Sequence, residues 1–156
     1  MASKDRTAAR EAFWQQLCED SSLDPQKRLA ARKAILAHAD AQDCSLYRPD
    51  EDDPDAEELD LGDARIVVTG PFQAPAEWSA EEREDYFGDA DPASFVSAFI
   101  ECEAEPGSRE FFQPDVGDYV AVMPTPDAVV MYYLHDWYED DNGRACVLIL
   151  DDQDLD

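Results

Sequence analysis

Two stretches near the start of the chain repeat apolar residues at helical spacing, and beyond residue 63 the pattern shortens toward that of strands. Over residues 3–19, Ala9, Phe13, Leu17 and Ala12 or Gln16 recur three to four positions apart, which predicts a helix capped by Ser3. Asp24-Pro25 marks a second start, a capping carboxylate followed by proline at the first helical position. Leu29, Ile35, Leu36 and Ala39 give that helix an apolar stripe, with Lys27, Arg28, Arg32 and Lys33 on its other side. Only residues 20–23 connect the two, so residues 1–48 read as an antiparallel helical hairpin.

Residues 49–60 then hold eight acids and two prolines with almost nothing apolar to bury, so 49–63 is expected to be an extended acidic loop. Residues 64–69 (Ala-Arg-Ile-Val-Val-Thr) are β-branched and end at Gly70-Pro71. Ser79 and Glu82 form an S-x-x-E capping box for a short helix running to Phe87 and stopping near Gly88. Asp91-Pro92 can cap a helix, yet residues 95–104 alternate with period two, and a strand is expected for the latter part of 94–105. Residues 119–123 and 129–138 read as strands, and Asn142-Gly143 supplies a hairpin turn into 145–150. The expected fold is α+β. One domain spans 1–156: a helical hairpin, an acidic loop, and a body over 64–156 with a mostly antiparallel sheet of about five strands and a short inserted helix.

Charge changes this picture more than any motif. The net charge is -26, yet residues 1–48 carry eight Lys or Arg against seven acids, and residues 49–156 carry four Arg against thirty-one. The excess lies wholly in the second part. Apolar residues at 44% and aromatics at 10% are too many for a disordered acidic chain, so the charge decorates a folded body. Salt adaptation would act on the whole surface, and the near-neutral first part escapes it, which leaves a halophilic adaptor as a lesser alternative. Such a field repels nucleic acid and anionic membranes and attracts basic protein surfaces. No leader-like apolar segment is visible, and the apolar runs 128–134 and 145–150 fall far short of the ~20 residues of a membrane span. A soluble, cytoplasmic protein is expected.

Catalytic chemistry finds little support. Cys18, Cys44, Cys102 and Cys146 are scattered with no C-x-x-C pair, so reduced, buried thiols are expected rather than disulfides or zinc ligands. His38 ends a helix, where an imidazolium would meet the helix dipole. His135 and Cys146 could approach across the hairpin, and an enzyme built on this dyad or on an acidic metal site is the enzymatic alternative. Read as a calcium loop from Asp50, the chain places Pro54, Asp55 and Leu61 at positions five, six and twelve, so the EF-hand pattern fails. No catalytic residue, metal or cofactor is therefore assigned.

Four acidic clusters are the candidate binding groups. Glu101, Glu103 and Glu105 would share one strand face at about 6.7 Å spacing, roughly two axial phosphate steps of one DNA strand. Glu81, Glu82, Glu84 and Asp85 crowd the short helix. Glu139, Asp140 and Asp141 sit at the hairpin tip beside Trp137 and Tyr138, the aromatics best placed for exposure. Asp151, Asp152, Asp154 and Asp156 close the chain. Small size, no catalytic set and extreme acidity resemble the acidic inhibitors as a class: DNA-mimicking anti-restriction and anti-CRISPR proteins, and immunity proteins of nuclease toxins. The likeness has no shared motif and carries no residue over. It implies a basic protein partner, a nuclease or another nucleic-acid-binding protein, with no direct nucleic-acid or membrane binding. A cognate immunity protein is the alternative reading. A homodimer, with basic helices on a second copy's acidic body, is a further one.

Overall fold

Strand pairing runs the whole way round the molecule. The computed structural model describes residues 2–50, 52–53 and 55–151, with side chains from Ala8 onward. Helices α1 (Ala2–Asp20) and α2 (Pro25–Leu36) precede strands β1 (Gln42–Arg48) and β2 (Leu59–Pro71). Helix α3 (Ala80–Phe87) and a 3-10 turn (Pro92–Ser94) lead into β3 (Phe95–Cys102), β4 (Tyr119–Thr125), β5 (Ala128–Asp140) and β6 (Gly143–Leu150). All pairings are antiparallel, and the order β1-β2-β3-β6-β5-β4 closes into a barrel through the β1–β4 ladder. The described sheet thus has six strands closed into a barrel, where a mostly antiparallel sheet of about five was expected; closure removes the unpaired rim that an open sheet must protect.

The extra strand lies inside the supposed hairpin segment. Cys44 and Leu46 point into the barrel, while Asp43, Ser45 and Tyr47 belong to the alternate face, a half-buried alternation too short and polar to stand out. Strand β2 likewise begins at Leu59, inside the stretch expected to be loop. The interior is filled by Leu46, Ile66, Ile100, Val120, Val122, Leu134 and Leu148, with Ala64, Ala98, Cys44 and Cys146 where the walls approach.

Capping signals are realised. Asp24 accepts from the Gln26 and Lys27 backbone N–H groups, and the Ser79–Glu82 box is complete in both directions. Asp91 caps the 3-10 turn by accepting from the Ala93 N–H. Helix α1 starts at Ala2, which leaves Ser3 inside the first turn and not at its cap. Its buried positions are Trp14 and Cys18, one residue on from the expected stripe, because the Trp14 indole N–H donates to the Pro25 carbonyl at 3.0 Å and ties α1 to α2. The hairpin turn is also shifted. Asp140 pairs with Gly143, so Asp141 and Asn142 are central and the positive φ falls on Gly143 (+130°). A Cβ there would lie 3.0 Å from Ile35 Cδ1 and 3.1 Å from a Phe99 ring carbon, so glycine lets α2 seat against the barrel.

Candidate functional site

Helix α2 turns its arginines inward. Arg28, Arg32 and Ile35, spaced four and three apart, form the buried face, and the expected apolar stripe through Leu29 and Leu36 is only half-buried. Guanidinium groups enter a protein interior only when paired. Arg28 donates to Glu101 and, through Nε at 2.7 Å, to Glu139; Arg32 donates to Glu101 at 3.4 Å and to the Cys102 and Ala104 carbonyls at 2.7 and 2.9 Å. Arg144 donates to Glu139 at 3.0 Å and to the Pro114 carbonyl. Arg48 grips the buried Asp118 in a fork, at 2.7 and 2.9 Å. Arg28 and Arg32 of the near-neutral segment therefore neutralise carboxylates of the acidic body from within.

This placement corrects several of the candidate binding residues. Glu101 is 5% exposed and the Glu139 side chain 8%, both held by arginine, so neither carboxylate faces a partner. The expected row Glu101–Glu103–Glu105 does not form, because β3 ends at Cys102. Glu103 is exposed in the bend that follows, and Glu105 pairs with Arg10. Trp137 is half-buried against the core, with its indole N–H donating to Asp115 at 2.9 Å and Arg144 stacked 3.8 Å from its ring. A bulge between Leu134 and Asp136 shifts the strand phase and turns Trp137 inward and Tyr138 outward. Tyr138 is 60% exposed. Asp140 is exposed at the tip, while Asp141 accepts from the Asp24 N–H at 2.8 Å and braces the start of α2. Asp152, Asp154 and Asp156 lie outside the described residues, as do Glu51 and Pro54.

What stays free is the acid face of α3. Glu81, Glu82, Glu84 and Asp85 are all exposed, with Glu82 also closing the capping box. Tyr86 and Phe87 hold the helix down: Phe87 meets Phe95 edge-on at 4.8 Å, and Tyr86 meets His135 at 4.8 Å and Phe72 at 5.4 Å. The Tyr86 hydroxyl donates to Asp136 at 3.1 Å; burial, and then that carboxylate, push its pKa up. Asp136 and Tyr138 share one face of β5, so the α3 acids and the exposed Tyr138 lie on the same side of the barrel.

The Cys–His pairing does not form. Cys146 is in the barrel interior and pairs across from Trp137, whereas His135 lies outside under α3, with Nε2 3.1 Å from the Tyr86 carbonyl. All four cysteines are buried and free. Burial raises the Cys18 thiol to about 11 and the Cys146 thiol to about 12, and pushes Cys44 and Cys102 up as well. Thiolate is the reactive form. Iodoacetamide at pH 8 is therefore expected to label the folded protein far more slowly than a free thiol, with all four cysteines labelled in urea. Fast labelling of Cys146 in the native state would contradict its burial.

Among the described residues, twenty-seven carboxylates are exposed against four exposed cations, Lys27, Lys33, Arg83 and Arg109. No group of three or more His, Cys, Asp or Glu among them is placed to hold a metal ion, and no described helix is long and apolar enough to cross a membrane. Compared with known protein families, curated proteins and solved structures, the chain matches none.

Proposed function

We propose that the protein is an acidic binding protein that blocks a basic nucleic-acid-handling protein, filling its phosphate-binding groove with carboxylates. One observation carries this reading: Arg28, Arg32 and Arg144 are turned inward, which leaves twenty-seven exposed carboxylates against four exposed cations among the described residues. Self-repulsion of that surface works against the compact state, and a net charge of magnitude about 2–8 suffices for solubility. On α3, Glu81, Glu84 and Asp85 stand three and four residues apart on one face. Their axial offsets of about 4.5 and 6 Å span one to two of the ~3.4 Å phosphate steps of a DNA strand. This helix takes the role first expected of the β3 row.

Affinity capture from a nuclease-treated host lysate, eluted with rising salt, tests the idea. The retained protein should be basic, should bind duplex DNA, and should be displaced by excess duplex. Combined Glu81→Lys, Glu84→Lys and Asp85→Lys should weaken its capture by roughly tenfold or more, several lost charge contacts each contributing a fraction of the 1.4 kcal/mol per decade. Capture unchanged by reversing α3 and, separately, the acids of residues 50–58 would sink it. A second reading, an immunity protein for one basic toxin, is favoured by Tyr138, since exposed aromatics serve specific contacts more than general polyanion mimicry. It predicts a single tight partner that duplex DNA fails to displace.

A further inference from the structure

One barrel wall carries no helix. Helix α2 covers the side formed by β2, β3 and β6, α1 packs on α2, and α3 packs against Phe95 and His135. Across β1, β4 and the first half of β5, Tyr47 pairs with Tyr119, and Tyr119 with Tyr133. The last two rings meet edge-on at 5.7 Å. With strands about 4.8 Å apart, the three tyrosines make a row of roughly 10 Å. The same wall exposes Met123 at 38% and Val129 at 61%, while the three tyrosines are half-buried. Partly exposed rings beside exposed apolar side chains on a sheet form a surface on which a partner can dock.

We infer that this tyrosine wall is where an arginine-bearing segment of the basic partner docks. Charge selects the occupant. At the end of the row a cleft of about 700 Å³ is lined by Tyr47 and Tyr119 together with five carboxylates between Asp50 and Glu58, and by no lysine or arginine among the described residues. Asp151 flanks the other side, its N–H donating to the Met131 carbonyl at 2.9 Å. A second copy would bring the same charge of -26 onto this wall, and a polyanion would be repelled in the same way.

The interior shows why arginine, more than lysine, fits. Each of the three most buried arginines lies over an aromatic ring and against a carboxylate: Arg28 over Trp14 at 5.7 Å with Glu101 and Glu139, Arg32 over Phe111 at 5.9 Å with Glu101, and Arg144 over Trp137 with Glu139. Both lysines with described side chains, Lys27 and Lys33, remain in solvent. The outer wall offers the same two components, ring and carboxylate, without the guanidinium. A planar, weakly hydrated guanidinium stacks on a ring while its edge donates to acids, which an ammonium does less well.

The inference rests on the reading of the chain as a binder of basic protein, and its test separates the two. Fluorescence anisotropy with labelled deca-arginine and deca-lysine peptides, at about 0.15 M salt where surface fields are screened within ~8 Å, gives the ratio of affinities for the full-length protein. The arginine peptide should bind more tightly. Tyr47→Ala and Tyr119→Ala should each weaken it about tenfold and bring the two peptides level. Because a tyrosine truncation can disturb the barrel, Asp53→Asn with Asp55→Asn and Glu57→Gln provides a second variant on exposed loop positions, with a loss of similar size expected. Glu11→Gln with Glu19→Gln, on exposed positions of α1, should leave the arginine-to-lysine ratio unchanged. A native melting profile with an undiminished ratio in both tyrosine variants would overturn the docking wall while leaving the basic-partner reading intact. Absence of binding by either peptide would overturn both. A concentration-dependent dimer abolished by Tyr119→Ala would assign the wall to a second copy, and also overturn the proposal.

Discussion

Replacing Glu101 with alanine is expected to destabilise the protein by about 3–5 kcal/mol, because it strands the Arg28 and Arg32 guanidiniums in the interior without their shared carboxylate. For a chain of this length that corresponds to a fall in Tm on the order of 10 °C. Glu81→Ala on the open face of α3 should move stability by no more than about 0.5 kcal/mol. The contrast is informative because both residues are acids in an acidic chain, and only burial and pairing separate them. Adding Arg28→Met to Glu101→Ala should restore part of the loss, since removing both partners of a buried pair costs less than removing one. Equal, additive losses measured by denaturant titration would mean that the pair is not coupled. A practical consequence follows for the mimicry question. Reversing Glu101 to erase a supposed phosphate mimic would unfold the protein, and the lost inhibition would say nothing about recognition.

The parts of this architecture that sequence reveals are those whose physics closes within one turn. The Asp24 cap and the Ser79–Glu82 box each involve residues two or three positions apart and form as expected, while Asp91 caps a 3-10 turn in place of a helix. The α3 acids are legible for the same reason, since the box fixes the helix and the acids have no apolar neighbour to bury them. Barrel closure is not local. It depends on β1 finding β4, and β1 offers only Cys44 and Leu46 as inward residues within a polar run. Glu101 misleads because its partner Arg28 lies 73 positions upstream. A signal was nevertheless present: Arg28 and Arg32 continue the same helical face as Ile35, and arginines at core positions imply buried acids elsewhere. The fate of Trp137 turned on a single-residue bulge beside His135, which alternation alone does not specify. The lopsided charge is therefore an arrangement of two layers, with Arg28 and Arg32 of the first segment turned in toward the acids that the fold buries, and most of the remaining acids left outside.

Truncating Phe95 is the second change with a large expected effect, and it acts on the candidate site directly. Phe95 is fully buried and receives Phe87 at 4.8 Å, Tyr86 at 6.4 Å and His135 at 5.3 Å. Phe95→Ala should cost about 3–5 kcal/mol through lost burial and the cavity left behind. The loss should fall unevenly. Helix α3 is eight residues long with no buried residue of its own, well below the length at which a helix is stable alone in water, so the aromatic contacts of Tyr86 and Phe87 are what keep it folded. At low temperature, where the barrel remains closed, amide exchange over residues 80–87 should become fast while the protection of β3 and β6 persists. Capture of the basic partner should weaken at the same time, because Glu81, Glu84 and Asp85 lose their fixed spacing without any change in charge. That dissociates two explanations of binding that charge reversal alone confounds. If affinity follows net charge only, Phe95→Ala will melt α3 and leave capture intact; if carboxylates must stand at phosphate-like intervals, order in α3 and affinity for the partner will be lost together.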